Sequence, residues 1–172
     1  WQLNPSDRRD RKTGREKKGY GYASKEVFKN ANYILIEHPV NQKECISFME
    51  RFVGTLGFKS VKIMSPQAHD EIISFTSQLP HAIAVSLINS DNEKYETGKY
   101  IGDSYRDLTR IANINENLWS ELFLRNSDYL LASIEAFEEQ LDLIKVALKD
   151  NDERLLKDLF IKSSLRREKL EK

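Results

Sequence analysis

Residues 130–148 read LLASIEAFEEQLDLIKVAL and are the stretch that decides the fold class of this chain. Apolar residues recur there at intervals of four and three, a spacing that places side chains on one face of a helix. We therefore predict a long helix whose apolar seam packs against another helix. The members of this seam are Leu130, Ile134, Phe137, Leu141, Ile144 and Leu148.

Helical patterns also flank the seam on both sides. We predict a helix over residues 67–88 that is interrupted at Pro80, whose ring removes a backbone hydrogen bond. Asn115 is the predicted N-cap of a further helix, which carries Trp119. After a polar break at residues 150–152, a last helix with a charged tail is predicted. The larger part of the chain is therefore predicted to be helical.

The first third of the chain has the pattern of a β-α-β unit. Residues 33–36 and 59–64 are short apolar runs typical of buried strands, and an amphipathic helix is predicted between them. Asn41 is predicted to cap this helix and Gly57 to end it. Cys45 falls on the apolar side of the helix, so we predict that it is a core thiol.

These patterns divide the chain into two regions. A lone pair of strands is not stable by itself, so residues 1–65 are predicted to be the truncated tail of a larger α/β domain. Residues 66–172 are predicted to form a helical domain. The predicted fold class is therefore mainly α, with a residual β-α-β piece in front of the helices.

The charge of the chain is balanced, with 27 Lys and Arg against 27 Asp and Glu among 172 residues. This balance gives no overall field that would attract nucleic acid or a membrane surface. Residues 1–18 are locally basic, and a solvated terminus is favoured there over a nucleic-acid arm. The single cysteine excludes an internal disulfide, and no secretory signal or membrane-length apolar run is visible, so a cytoplasmic protein is predicted.

Two arginines in the stretch GDSYRDLTRIA, residues 102–112, form a candidate ligand site. Arg106 and Arg110 are four residues apart, which places them on one face of a predicted helix. A guanidinium binds a carboxylate through two parallel hydrogen bonds. The pair therefore predicts a small ligand that carries two carboxylates.

Other kinds of site are not supported by the sequence. The histidines and the single cysteine do not have the spacing of metal ligands, so no metal site is predicted. There is no G-x-S-x-G elbow to hold a nucleophile. The sequence also has neither the G-x-G-x-x-G of a dinucleotide site nor a phosphate-binding loop.

Three motifs resemble those of the prephenate dehydrogenase family. The segment that ends in Thr109-Arg-Ile-Ala112 resembles the family's F-x-D-M/L-T-R-I-A motif. Residues 77–81, SQLPH, resemble its S-H-L-P-H motif, and residues 14–19, GREKKG, resemble the end of its H-P-x-A-G-x-E-K-S-G motif. The motifs occur in the family's order, and the resemblance covers most of the chain.

The resemblance implies a fold and an activity. In this family a Rossmann domain holds NAD or NADP, and a helical domain like the C-terminal domain of 6-phosphogluconate dehydrogenase follows it and forms a homodimer. The family converts prephenate to 4-hydroxyphenylpyruvate by oxidative decarboxylation, in tyrosine biosynthesis. The resemblance thus implies that this chain supplies substrate binding and dimerisation, with no cofactor bound to it alone.

The resemblance also assigns substrate-binding residues. Arg110 matches the family's carboxylate-binding arginine, and Arg106 matches a second basic position. Ser77 and His81 match polar residues of the pocket, and Glu16 matches an acidic residue that gates it or orients water.

Trp119 matches an aromatic residue that enters the pocket from the partner subunit, so we expect it to lie away from the core of its own subunit. Two departures from the family pattern are visible. Asp10 stands where the catalytic histidine is expected, and Gln78 replaces the first histidine of S-H-L-P-H. No catalytic residue is therefore assigned, and the chain alone is expected to be inactive.

Two alternatives remain open. The chain could be a catalytically inert helical dimerisation module, or part of an arogenate or 3-hydroxyacid dehydrogenase of the same superfamily. The choice between NAD and NADP also remains open, because the loop that discriminates between them is not in the sequence.

Overall fold

The computed structural model describes residues 28–29 and 31–170. Both strands of the described residues lie within residues 32–64, and most of the helices follow them along the chain, as the sequence predicts. The fold is mainly helical with one small parallel sheet, which confirms the predicted fold class. In chain order the elements are β1 (Asn32–Ile36), α1 (Lys43–Thr55), β2 (Ser60–Met64), α2 (Pro66–Ile73), a π-helical segment (Ser74–Gln78), α3 (Leu79–Asn89), a 3-10 turn (Thr97–Lys99), α4 (Asp103–Thr109), a second 3-10 turn (Arg110–Ala112), α5 (Glu116–Arg125), α6 (Ser127–Lys149) and α7 (Glu153–Leu170).

The predicted β-α-β unit is formed by β1, α1 and β2. The two strands pair in parallel along their whole length, beginning with Asn32 opposite Ser60. Val53 is the buried residue of α1. Gly57 follows the helix with φ +88°, a backbone region that favours glycine, so its predicted role in ending the helix is confirmed.

Two predictions about α1 are wrong. The side chain of Asn41 does not cap the helix; its Oδ1 accepts a hydrogen bond from the N–H of His38 at 2.8 Å, and Gln42 is the N-cap without a side-chain bond. Cys45 is exposed rather than part of the core. The buried side of α1 is the side of Val53, and eight residues of helix place Cys45 about 80° away from it.

The helix predicted over residues 67–88 is present but changes its hydrogen-bond pattern near the middle. The Ser65 hydroxyl accepts a bond from the N–H of Ala68 at 3.2 Å and begins α2. In the π segment the N–H of Leu79 donates to the carbonyl of Ser74, five residues earlier. This wider turn lies directly before Pro80, where the sequence predicts an interruption.

The ends of the later helices follow the predicted signals. The Asn115 side chain accepts a bond from the N–H of Leu118 at 3.4 Å and begins α5. Between α6 and α7, Asn151 has φ +50°, and the Asp152 carboxylate accepts a bond from the N–H of Leu155 at 2.9 Å. The polar break at residues 150–152 is thus confirmed.

By its internal contacts the chain divides into two compact units, and the division falls after Leu130 within α6. The first unit contains the sheet and the helices up to α5, with Leu79, Ala84 and Trp119 in its core. The second unit is a pair of helical segments in which Ala147 is buried. None of the helices described here is long and apolar enough to cross a membrane.

Candidate functional site

The structure brings three of the predicted substrate-binding residues together in the first unit. Ser77 is in the π segment, His81 in the first turn of α3, and Trp119 in α5. The 3-10 turn that begins with Arg110 packs against α3, as does α4, which carries Arg106. Glu16 and Asp10 lie outside the described residues.

His81 and Trp119 form a stacked aromatic pair. Their ring centroids are 3.7 Å apart, with 25° between the ring planes. His81 is 7% exposed and Trp119 4%, so both rings are buried. The indole also meets the edge of Phe123 at a centroid distance of 5.8 Å. The expectation that Trp119 lies away from the core of its own subunit is therefore wrong, because its neighbours on α3 and α5 belong to the same chain.

The indole N–H of Trp119 is buried without a hydrogen-bond partner among the residues that the structure describes. Tryptophan N–H groups usually find a partner when they are buried. The orientation of this indole is therefore held by stacking and apolar contacts rather than by a polar bond of its own.

A hydrogen bond fixes the imidazole of His81. Its Nδ1 lies 2.7 Å from the carbonyl oxygen of Ser77, one turn earlier. A carbonyl only accepts, so Nδ1 carries the proton and donates it. In the neutral form of the ring, Nε2 is then the acceptor nitrogen.

The two arginines of the candidate clamp differ in their surroundings. Arg106 donates to the carboxylate of Asp103 at 2.9 Å, and both side chains are exposed to solvent. Arg110 follows the end of α4 and begins the second 3-10 turn, so the helix predicted to carry both arginines is tightened in its last turn. No carboxylate of the described residues forms an ion pair with Arg110.

One network was not predicted from the sequence as part of the site. Gln78 is 4% exposed, its amide donates to the carbonyl of Leu122 at 3.0 Å, and its carbonyl accepts from Asn126 at 2.8 Å. The sequence marks Gln78 only as a departure from a motif. The sequence does not indicate that Asn126 belongs to this network, because its role depends on how α5 ends against the π segment.

Other groups near the site are polar but do not form a metal centre. His69 lies at the start of the same long helix, with Nδ1 2.9 Å from the carboxylate of Asp70. Within the part of the chain that the structure describes, no group of three His, Cys, Asp or Glu residues could hold a metal ion.

A cleft of about 570 Å³ lies at the carboxyl ends of β1 and β2. Ligands of open α/β sheets bind at such ends. The cleft has no G-x-G-x-x-G turn beside it, and the sequence contains none, so the residues present do not by themselves form a dinucleotide site. Its lining residues are Glu37, His38, Pro39, Asn41, Lys43, Ser65, Pro66 and Gln67.

The described chain is thus a helical domain that follows a β-α-β unit and carries a stacked histidine and tryptophan on α3 and α5. Residues 65–162 match the profile described as prephenate dehydrogenase, dimerization domain. The chain belongs to this family, as the three motifs predict.

Curated relatives of known name are similar to the chain over most of its length. Prephenate dehydrogenase of Bacillus subtilis is 28% identical over 143 residues, which are 81% of this chain and 38% of the relative. Cyclohexadienyl dehydrogenase of Zymomonas mobilis is 27% identical over 155 residues, 87% of this chain and 53% of the relative. The chain thus spans between about two fifths and one half of these relatives.

Solved structures show the same fold. Prephenate dehydrogenase of A. aeolicus, crystallised with hydroxyphenyl propionate and NAD+, superposes with a TM-score of 0.77 at 29% identity, over 91% of this chain and 56% of that one. Synechocystis arogenate dehydrogenase superposes with a TM-score of 0.75 at 23% identity, over 84% of this chain and 54% of that one. At this lower identity the likeness shows the fold alone.

Proposed function

We propose that this chain is the substrate-binding and dimerisation part of a prephenate dehydrogenase, which oxidatively decarboxylates prephenate to 4-hydroxyphenylpyruvate in tyrosine biosynthesis. The observation that carries the proposal is the cluster of Ser77 in the π segment, His81 on α3 and Trp119 on α5, with the Arg110 turn packed on α3, in a chain of this family. The relative crystallised with hydroxyphenyl propionate supports an aromatic-sized, carboxylate-bearing ligand.

In this proposal the side chains bind and orient the substrate. Arg110 forms no ion pair among the described residues, and its guanidinium binds one substrate carboxylate. Arg106 supplies a second positive charge after releasing Asp103, since an exposed ion pair of this kind contributes only ~0–1 kcal/mol. Ser77 and His81 line the pocket, and Glu16, in the segment that is not described, gates the pocket or orients water.

The parent enzyme uses NAD or NADP in this proposal. The cofactor is held by a nucleotide-binding domain, of which residues 1–65 are the last part, and residues 66–172 are the helical domain. The start of the family match at residue 65 and the helix that begins after Ser65 support this boundary. The chain alone is inactive because it seats no dinucleotide and has Asp10 at the position expected for the catalytic histidine.

We also propose that the chain forms a homodimer and works in the cytoplasm. The family's description as a dimerization domain supports the first point. Apolar side chains of the second unit are exposed and would be covered by a second copy: Leu141, Val146, Leu148, Phe160, Ile161 and Leu165. The single cysteine supports a reducing compartment.

Calorimetric titration of the full chain with prephenate tests the proposed function. We expect Arg110→Ala to weaken binding about tenfold, or about 1.4 kcal/mol. This cost is modest because removal of an exposed guanidinium costs less binding free energy than removal of a buried one. Arg125→Ala is the matched control, since Arg125 is an exposed arginine paired with Glu121 on α5. The affinity of this variant for prephenate should stay near that of the parent chain.

The titration also distinguishes the alternatives. If arogenate binds more tightly than prephenate, the proposed substrate is arogenate, the amino analogue. Binding of neither ligand by the parent chain would contradict the proposal and favour an inert dimerisation module.

A further inference from the structure

We propose that Gln78 and Asn126 are positioning residues for the stacked pair of His81 and Trp119. With the carbonyls of Asp70 and Leu122 their side chains form three hydrogen bonds, which we call the amide clasp. The clasp deepens the proposed function, because it fixes the pair that is proposed to meet the substrate. Its effect on the pair itself does not depend on what the substrate is.

The clasp consists of three hydrogen bonds that connect neighbouring helical segments. The Asn126 amide donates both of its hydrogens, one to Gln78 Oε1 at 2.8 Å and one to the carbonyl of Asp70 at 2.9 Å. Gln78 Nε2 donates to the carbonyl of Leu122 at 3.0 Å. These bonds tie the end of α2 and the π segment to the last turn of α5.

The clasp supplies a donor that α5 lacks at its end. The carbonyl of Leu122 would accept from the N–H of Asn126 in a continuing helix, but that N–H donates to Phe123 at 3.3 Å instead. Gln78 provides the missing donor. Its side chain is almost fully buried, and a buried amide that loses its hydrogen-bond partner is costly, so the contact between Gln78 and α5 has little freedom to slip.

The register of the two helices connects the clasp to the aromatic pair. Gln78 meets Leu122, and His81, three residues later, meets Trp119, three residues earlier. The segments therefore run antiparallel with the clasp one turn away from the stacked rings. A movement of the end of α5 relative to the π segment would move Trp119 over His81.

Nothing polar among the described residues fixes Trp119 directly. Its Nε1 has no partner there, and its ring contacts are the stack on His81 and the edge contact with Phe123. Stacking alone tolerates sliding of one ring over another. The geometry thus points to the clasp as the feature that sets the position of the indole.

Trp119 is also the reporter for the test. The chain has two tryptophans, Trp1 and Trp119, so Trp1→Phe leaves one indole to observe. In that background, Asn126→Ala and Gln78→Met should raise the acrylamide quenching of Trp119 about twofold or more, because local opening exposes the ring. Asn117→Ala is the matched control, since Asn117 is exposed on α5 and its amide donates to the carboxylate of neighbouring Glu116.

A rescue variant separates positioning from general packing. A neutral imidazole has one donor and one acceptor, so Gln78→His can replace both bonds of the Gln78 amide, whereas methionine fills the volume with neither. Quenching should therefore stay near the parent value in Gln78→His and rise in Gln78→Met. Far-UV circular dichroism identifies the folded variants. If Asn126→Ala does not fold, the comparison of Gln78→Met with Gln78→His decides the test.

The proposal is overturned if folded Gln78→Met keeps the parent quenching, or if Gln78→His and Gln78→Met change it equally. Titration with prephenate on the same variants gives the functional consequence, a loss of affinity in Gln78→Met that Gln78→His restores. If the parent chain binds no ligand, the proposed function fails while the quenching result still decides on the clasp.

Discussion

At the scale of single residues, Arg106 and Arg110 share one face of the predicted helix but differ in their surroundings. Arg106 is already engaged by Asp103 within α4, and it is 61% exposed. Arg110 lies one residue past α4, in a 3-10 turn that packs on α3. A ligand carboxylate therefore meets no competing carboxylate of the described residues at Arg110, whereas at Arg106 it must displace Asp103.

Lysine substitutions distinguish these two roles. Arg110→Lys should weaken prephenate binding several-fold, because an ammonium group cannot form the two parallel bonds of a guanidinium, with a cost of ~1 kcal/mol. Arg106→Lys should leave the affinity nearly unchanged, because a point charge suffices there. Calorimetry on both variants is the measurement, and equal losses in the two would mean that Arg110 is not the principal anchor.

At the scale of elements, the caps determine where the helices begin. Ser65 connects β2 to α2, and its hydroxyl accepts the N–H of Ala68 while Pro66 occupies the first turn, where its missing N–H costs nothing. The position of α2 in turn sets that of the π segment and of Ser77.

Removal of this cap should lower stability by a modest and measurable amount. Ser65→Ala leaves an N–H of the first turn without its partner and is expected to reduce the free energy of unfolding by ~1 kcal/mol. Ser86→Ala, at an exposed position inside α3, should change it by less than ~0.5 kcal/mol. Urea denaturation followed by circular dichroism compares both variants with the parent chain. Identical urea midpoints for Ser65→Ala and the parent would show that the cap does not stabilise the fold.

The elements also show what sequence could predict and what it could not. The strands, the seam helix and the caps at Asn115 and Gly57 followed from local patterns, because period and capping act within a few residues. The cap at Asn41 did not, since its side chain bonds backward to His38.

The sequence names residues of the candidate site but does not show how they are arranged. The motifs name Ser77 and His81, but the stack of His81 on Trp119 depends on how α3 meets α5, a contact between residues 38 positions apart in sequence. Gln78 and Asn126 form a bond across 48 residues. Such long-range pairings leave no periodic signal in a single sequence, so only the folded chain shows them.

At the scale of the whole molecule, the second unit leaves apolar surface uncovered. Leu141 and Leu148 lie seven residues apart on the predicted seam of α6, and they are 46% and 61% exposed. Leu148 is followed by the polar turn, so the seam continues to the end of the helix. A seam of this length, exposed in a single chain of a dimerization-domain family, fits burial against a second copy.

Charge on the seam should therefore separate the subunits. The parent chain is expected to have twice the 20.1 kDa mass of one chain by light scattering at micromolar concentration, because obligate dimers bury upwards of ~2,000 Å². Leu141→Glu and Leu148→Glu should shift the mass to that of a monomer, since a carboxylate buried without a partner is strongly unfavourable. Gln140→Glu adds the same charge beside the seam at an exposed position and should remain dimeric. A monomeric parent, or dissociation caused equally by Gln140→Glu, would show that the seam does not hold two chains together.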